Sequence, residues 1–318
     1  VPGLLATRTI PTPRDRLATI LVAPLMSCAA RIPVYTLLIS AFVPPARVGG
    51  FLSLQGLAFA GAYMIGPLAA VPVALLLRRT ALKSPSIGFL MELPAYQWPS
   101  ARNVAWRVRH GVRSFLVRAG SIILLMSVVV WALSYYPRPP ALAAQFDTQR
   151  RAARGRLTGA ELEARLAELD RGQEGAYLRQ SYFGRAGRWL EPLVRPLGWD
   201  WRIAMAVLAA FPAREVVVST LQITYDLDTS AGGGEAHAAL ASRLRASPGP
   251  DGRPAFGLPA ALSLLVFFAL SCQCAATLAT IRSETRSWRW TIFAFAYLTL
   301  LAYFGALVTY QLIARLSH

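Results

Sequence analysis

The sequence predicts an all-α fold, a polytopic bundle of transmembrane helices in which two spans are broken at their centres. Hydrophobic residues make up 55% of the 318 residues and charged residues only 15%, well below the roughly 25% of soluble domains. Several apolar runs reach about 20 residues, which is enough to cross a hydrocarbon core. Two of these runs, at residues 23–35 and 268–278, are interrupted by polar stretches that carry cysteine.

Six membrane segments are expected, and they divide into two modules that cover residues 1–136 and 201–318. The spans lie at residues 17–43, 51–77, 119–136, 203–225, 258–281 and 290–314. A tight hairpin at residues 44–47, rich in proline, joins the first two. Pro212 lies near the middle of the fourth segment. This segment could therefore re-enter the membrane instead of crossing it.

The connecting segments predict which side of the membrane each loop occupies. Residues 78–118 are strongly basic, and the arginines near their end alternate with valines, which is typical of an amphipathic segment at the interface. The positive-inside rule places this stretch in the cytoplasm. Residues 137–200 form a polar loop of nearly balanced charge, expected outside, with one surface helix at about 158–170, where Thr158 and Glu161 fit a capping box. Strict alternation then puts both chain ends in the cytoplasm and the arginine-rich loop 282–289 outside, which conflicts with the same rule.

Charge and missing motifs exclude several classes of function. The net charge of +17 comes almost wholly from arginine, since Lys83 is the only lysine. In a soluble protein this charge would suggest nucleic acid. Here the arginines cluster between apolar spans, where they meet lipid headgroups. The bilayer, not nucleic acid, is the expected partner. No phosphate-binding loop, zinc-protease helix or G-x-S-x-G elbow is present, so no catalytic or nucleotide site is expected in this chain.

The first break is centred on Cys28. A bilayer tolerates broken backbone only where it is buried in protein or lines a cavity, and interruptions at corresponding places of two spans indicate a transporter's binding site. Thiols favour a soft or borderline metal. Arg31 and Tyr35 share a helical face with Cys28, Ser27 lies beside it, and two nearby prolines free backbone carbonyls as further ion ligands. The alternative is that the thiol packs as a small hydrophobe.

The second break carries two cysteines, Cys272 and Cys274. On an ideal helix they would lie about 200° apart. Both can face one site only if the backbone is unwound; otherwise one faces the permeation path and the other packs. Polar neighbours support this region as a site: Ser271, Gln273 and Thr277.

The fourth segment places two adjacent charges, Arg214 and Glu215, inside an apolar run. Placing an ionised side chain at the centre of a membrane helix costs about 3 kcal/mol of insertion free energy. The pair is therefore expected to have a functional role or compensating partners. Glu215, Ser219 and Gln222 would share one helical face. Glu215 could then act as an oxygen ligand or proton acceptor on the path. Alternatively, Arg214 and Glu215 pair with groups on neighbouring helices and lock the bundle.

Several stretches together resemble the ferrous iron transport protein B family. They are MSCAARIPVY at 26–35, FLMELPAY at 89–96, PLGWDW at 196–201, FPAREVVV at 211–218, CAAT at 274–277 and IRSET at 281–285. The resemblance implies that Cys28 and Cys274 belong to paired gate modules. The family's second gate is similar to Cys-Met-Ser-Thr. Since this chain has alanines at the two middle positions, Cys272 is a candidate substitute ligand.

The resemblance also implies a function and partners. The chain would be a permease domain for ferrous iron uptake in the bacterial inner membrane, with Fe²⁺ as transported substrate and no cofactor of its own. Coupling would come from an upstream domain that binds GTP and Mg²⁺ and is absent from this sequence, so the chain is expected to be a fragment. Small cytoplasmic accessory proteins and a homo-oligomer are further expected partners.

Two alternatives to iron transport remain open. The first is a transporter of another solute, such as a nucleoside, that uses the same gate modules. Aromatic and amide groups would then carry recognition. The second is a non-transporting membrane anchor for a regulatory GTPase. The cost of burying Arg214 and Glu215 argues against this second alternative.

Overall fold

The computed structural model describes residues 2–48, 52–80, 82, 98–212, 214, 216–225, 242, 256–272 and 274–316, and confirms the all-α prediction. Two short strands, β1 (Arg47–Val48) and β2 (Leu52–Ser53), pair antiparallel in the first hairpin. Everything else that is regular is helical. The α-helices are α1 (Pro2–Ala6), α2 (Pro13–Val22), α3 (Ile32–Phe42), α4 (Leu54–Arg79), α5 (Ala101–Phe115), α6 (Ser121–Tyr135), α7 (Pro140–Arg154), α8 (Ala160–Gln180), α9 (Tyr182–Val194), α10 (Trp201–Ala209), α11 (Val216–Thr224), α12 (Leu258–Leu270), α13 (Ala275–Thr285) and α14 (Trp288–Leu316).

Both predicted breaks are present. The first separates α2 from α3, with 3₁₀ turns at Ala23–Leu25 and Ala29–Arg31 on either side of the break. The second separates α12 from α13, and Ser271 and Cys274 there have extended backbone. Proline contributes at the first break, because Pro24 lacks the N–H that a continuous helix needs. The main apolar core of the described residues surrounds both breaks and draws on α3, α4, α10, α11, α12 and α14.

The helix ends define two ends of the bundle. Leu4, Leu77 and Ile281 pack together at what we call the near end. Phe42, Leu258 and Ile313 line one cavity at the opposite, far end. Within the described residues, α2–α3, α4, α12–α13 and α14 are long and apolar enough to cross a membrane. The helix α6 supplies a fifth crossing when it is taken with α7, from which it is bent by 68°.

The fourth predicted segment does not cross the bundle, so the expected span at 203–225 is wrong. It forms two short helices, α10 and α11, on either side of Pro212. The Arg202 guanidinium lies 4.7 Å from the centre of the Tyr225 ring, which brings the beginning and the end of the segment together. The turn just before α10 contacts α14 near its far end, since a Cβ at Gly198 would lie 2.1 Å from Cε2 of Tyr310. The segment is therefore a re-entrant hairpin that opens at the far end.

This hairpin reverses the predicted topology of everything that follows it. The residues on either side of the loop between α13 and α14, Ile281 and Trp290, pack at the near end with Leu77. The arginines of this loop therefore share an end with Arg78 and Arg79, and the conflict with the positive-inside rule disappears. The expectation that both chain ends share one side is wrong, because α14 finishes at the far end.

Residues 137–200 contain the predicted surface helix, which is α8 and longer than expected, and two further helices, α7 and α9, where a polar loop was predicted. The helices α7 and α8 are joined by Arg150, whose Nη2 lies 2.5 Å from Oδ1 of Asp170. The helix α9 is joined to the end of α6 by a backbone hydrogen bond. The N–H of Tyr182 donates to the Tyr136 carbonyl at 2.9 Å.

A buried carboxylate holds the near end together. The side chain of Glu284 is only 2% exposed, and it receives two guanidinium groups from the beginning of the chain. Arg8 lies 2.5 Å from Oε1, and Arg16 lies 2.6 Å from Oε2. These contacts tie the residues that precede the first span to the last turn of α13.

Candidate functional site

The two breaks meet inside the bundle through Arg31. This side chain is 1% exposed and donates to three carbonyls. Two belong to its own module, Pro24 at 3.2 Å and Leu25 at 3.5 Å. The third is the carbonyl of Ser271 in the second break, at 3.4 Å. The two broken stretches therefore lie at the same depth and in direct contact.

A second buried arginine, Arg214, reaches the same carbonyl. It lies at the tip of the re-entrant hairpin, is 5% exposed, and donates to Ser271 at 2.6 Å and to Phe268 at 3.1 Å. This agrees with the alternative in which Arg214 bonds to neighbouring helices. We call Arg31, Arg214 and the carbonyls that they hold the arginine lock. The carbonyls near the prolines of the first break were expected to be free as ion ligands. Those of Pro24 and Leu25 instead accept hydrogen bonds from the Arg31 guanidinium.

The tip of the hairpin also binds the second break through its backbone. The N–H of Ala275, the first residue of α13, donates to the Phe211 carbonyl at 3.0 Å. Together with Arg214, this bond positions the break against the hairpin. This contact joins residues that are far apart in sequence, and no sequence motif predicts it.

Three buried polar atoms at the arginine lock have no hydrogen-bond partner among the described residues. They are the hydroxyls of Tyr35 and Ser271 and Nε of Arg31. The ring of Tyr35 is fully buried against the edges of Phe59 and Tyr63. Buried polar groups are usually paired, so the unsatisfied hydroxyls mark a place that suits water or an ion.

The three thiols differ in accessibility. Cys28 is exposed, Cys274 is half-buried, and Cys272 is buried within the apolar core at 2% exposure. Arg31 lies within electrostatic range of both Cys28 and Cys272, which places thiols of both modules around one centre. The backbone is extended at Ser271 and at Cys274, and the two cysteines of the second break differ in burial.

The other residues of the two breaks lie close to this centre. The Ser27 hydroxyl donates to the Tyr63 carbonyl at 3.2 Å, which fastens the first break to α4. Thr277 is half-buried in the first turn of α13, where its N–H donates to the Cys274 carbonyl. Gln273 lies outside the described residues. These bonds stabilise the unwound backbone on both sides of the site.

The predicted polar face of α11 is only partly observed. Ser219 is exposed and its hydroxyl donates to the Val216 carbonyl at 3.0 Å, whereas Gln222 is buried. The two side chains therefore do not share one environment. Glu215 lies outside the described residues, so its predicted role stays a prediction.

No ready-made metal cage is formed by the described part of the chain. There, no three His, Cys, Asp or Glu side chains lie close enough to hold an ion. A cation at the breaks would have to combine thiols with hydroxyl or carbonyl oxygens. Such mixed, incomplete ligand sets bind weakly and exchange readily.

The accessibilities predict the order in which the thiols react. In variants that keep one cysteine each, a membrane-impermeant thiol reagent should modify Cys28 fastest, Cys274 more slowly and Cys272 not at all until the protein is unfolded. If Cys28 and Cys274 face the path, Fe²⁺ should slow the modification of both. The measurement is the labelling rate by mass spectrometry. Equal rates for Cys272 and Cys28 would contradict the structure.

Comparison with known proteins places this geometry in a family. Residues 116–288 match the family model Gate, described as nucleoside recognition. Residues 59–110 match the model described as ferrous iron transport protein B C terminus. No solved structure gives a significant match.

Curated relatives carry consistent names. A protein of Leptospira interrogans named Fe(2+) transporter FeoB is 39% identical over 98% of this chain and 41% of its own length. A Porphyromonas gingivalis protein named Fe(2+) transport protein A/Fe(2+) transporter FeoB fusion protein is 36% identical over 98% of this chain and 36% of its own length. A Methanocaldococcus jannaschii protein, also named Fe(2+) transporter FeoB, is 32% identical over 97% of this chain and 39% of its own length.

The chain thus spans about two fifths of the length of the first curated relative. The Gate model covers more than half of this chain, and the arginine lock joins the two modules that the cysteines mark. The chain carries a Gate domain and belongs to the ferrous iron transport protein B family, as part of its C-terminal membrane region.

Proposed function

We propose that this chain is the permease part of a ferrous iron uptake system and passes Fe²⁺ inward along a path between the two breaks. The observation that carries the proposal is the meeting of both unwound stretches at the Ser271 carbonyl. Each break carries cysteine, and each also carries a buried hydroxyl, of Tyr35 or Ser271, that no described residue pairs. In a membrane, unwound backbone of this kind is tolerated where it lines a cavity or a binding site.

The arginine lock suggests how the path is closed. Two guanidinium groups at the centre repel a divalent cation, and they occupy the carbonyls of Pro24, Leu25, Phe268 and Ser271. Passage of Fe²⁺ therefore requires the guanidinium groups to withdraw or the breaks to separate. The structure then corresponds to a closed state, in which ion ligands exist but are held by internal donors.

Iron is favoured over a nucleoside as the substrate. The description of the Gate model mentions nucleoside recognition, but relatives with 36% and 39% identity are named for Fe²⁺. Cysteine at both breaks suits a borderline metal ion better than a sugar or a base. The chain would hold no resident cofactor, and Fe²⁺ would be its cargo.

The setting of the permease follows from its arginines and its relatives. Arg78, Arg79 and the arginines of the loop after α13 support a cytoplasmic near end under the positive-inside rule, and the membrane would be the bacterial inner membrane. The fusion in Porphyromonas gingivalis supports a small cytoplasmic accessory protein as a partner. An upstream domain that binds GTP and Mg²⁺ would drive the opening, and the whole protein would work as a homo-oligomer.

Proteoliposomes test this proposal directly. The protein that contains this chain should carry Fe²⁺ inward under reducing conditions, measured with an enclosed iron-quenched dye. Cys28→Ser and Cys274→Ser should each slow the initial rate by about tenfold or more, as is typical when a metal's environment is disrupted. Cys272→Ser should change the rate much less, because this thiol is packed in the core.

The cysteine variants serve as controls for one another. All three exchange sulfur for oxygen, so a general loss of folding would appear in the melting temperature of each. An equal loss of flux from Cys272→Ser and Cys274→Ser would place both sulfurs on the path. Uptake of a nucleoside in place of Fe²⁺ by the unmodified protein would overturn the proposal.

A further inference from the structure

An apolar cleft opens at the near end, away from the site described above. It has a volume of about 560 Å³ and lies between α6, α13 and the beginning of α14. Its wall is almost entirely hydrocarbon, contributed by Ile122, Met126, Leu278, Ala279, Ile292 and Phe295. The side chains of Trp288 and Ile292 at its edge remain 64% and 62% exposed. A long apolar molecule could therefore enter sideways from the membrane.

The mouth of this cleft is basic. Arg282 and Arg286, four residues apart at the end of α13, both line it. Neither forms an ion pair with a described residue; the nearest acid in sequence, Glu284, is already bound by Arg8 and Arg16. The guanidinium of Arg282 lies instead 5.2 Å from the centre of the Trp288 ring. Two like charges at this spacing repel each other, and a shared anion would relieve the repulsion.

The combination fits an amphipathic anion. A basic rim over a hydrocarbon cleft between transmembrane helices is the arrangement that recognises anionic lipid headgroups. A free inorganic anion would gain nothing from the apolar wall, and a neutral lipid would leave the arginine pair uncompensated. We infer that this cleft binds an anionic phospholipid, with its phosphate between Arg282 and Arg286 and an acyl chain along α6 and α14.

The cleft extends to the gate itself. Its inner wall includes Phe211 and Ala275, the two residues whose backbone hydrogen bond ties the re-entrant hairpin to the second break. A bound acyl chain would cover this hydrogen bond and shield it from water. The lipid would therefore stabilise the second module, whatever the cargo of the transporter is.

Thermal unfolding in neutral detergent tests the inference without iron. Dioleoyl phosphatidylglycerol should raise the melting temperature of the protein in a saturable manner, whereas dioleoyl phosphatidylcholine at the same mole fraction should not. The double variant Arg282→Gln/Arg286→Gln should need about thirtyfold more phosphatidylglycerol for the same shift. The control Arg78→Gln/Arg289→Gln also removes two exposed near-end charges, but outside the cleft, and should respond like the unmodified protein.

A second variant tests the hydrocarbon part of the site and keeps every charge. Ala279→Trp fills the cleft, so the stabilisation by phosphatidylglycerol should disappear although both arginines remain. Equal stabilisation by phosphatidylcholine would overturn the inference, as would an unchanged response of the Arg282→Gln/Arg286→Gln variant. A matching shift produced by inorganic phosphate alone would show a free-anion site and also refute the lipid.

Discussion

Gly66→Ala should destabilise the protein by about 3 kcal/mol or more, at or beyond the usual upper range for overpacked cores. Gly66 lies in α4 where this helix meets the first break. A Cβ on it would lie 2.2 Å from the Leu25 carbonyl oxygen, and the Ala269 carbonyl is also close, at 3.7 Å. The Leu25 oxygen belongs to the backbone and not to a flexible side-chain tip, so backbone must move. The melting temperature in detergent measures the effect, and less folded protein should be recovered.

Gly61→Ala is the matched control, since it makes the same change in the same helix. A Cβ at Gly61 meets no heavy atom within 4 Å. The helix should gain about 0.5–1 kcal/mol from the lower conformational freedom of alanine. If both variants melted alike, the close approach of α4 to the break would not exist in solution.

Arg214→Met should cost about 3 kcal/mol of stability. The substitution removes two charge-assisted hydrogen bonds, each worth roughly 1.5–3 kcal/mol, and leaves the Phe268 carbonyl without its guanidinium donor. Arg289→Met, at an exposed position of the near end, should be close to neutral. The melting temperatures of the two variants give the comparison.

Arg214→Lys separates the role of charge from that of geometry. Lysine keeps the cation but cannot reproduce the planar fork that serves two carbonyls. If the arginine lock closes the path, this variant should show a raised Fe²⁺ leak per folded molecule in proteoliposomes. A variant that is less stable but no leakier would limit Arg214 to a structural role.

The breaks were predictable because they violate a strong rule. Polar residues in the middle of an apolar run are costly, and the stretches around Cys28 and Cys272 both contain them, the first together with two prolines. The fate of residues 203–225 was harder to predict. A crossing span and a re-entrant hairpin have the same apolar composition and can both contain a proline, so the sequence left both open. Taking residues 203–225 as a crossing span, and not as a re-entrant hairpin, reverses the side of the membrane predicted for every later segment.

The centre of the site was only partly predictable. Arg31, Tyr35 and Ser271 were recognised as its neighbours from their place beside the cysteines. That Arg31 and Arg214 converge on one carbonyl was not foreseeable, because these contacts join residues 240 and 57 positions apart in the chain. Their acceptor is a backbone oxygen, which every residue carries. The sequence signal for this convergence is weak: each arginine lies two residues from a proline within an apolar run.

The paired arginines on Glu284 set a lower limit on how far the chain can be shortened. Arg8 precedes α2 and Arg16 lies in its first turns, and their removal would leave the Glu284 carboxylate without these two counter-charges. Because Arg8 and Arg16 are themselves 56% and 32% exposed, water would partly replace them, and we expect a smaller loss of stability than for a fully buried pair. A truncated chain that starts at the first apolar run, at residue 17, would keep most of every membrane helix. It would lose the two ion pairs that join the beginning of the chain to α13 at the near end.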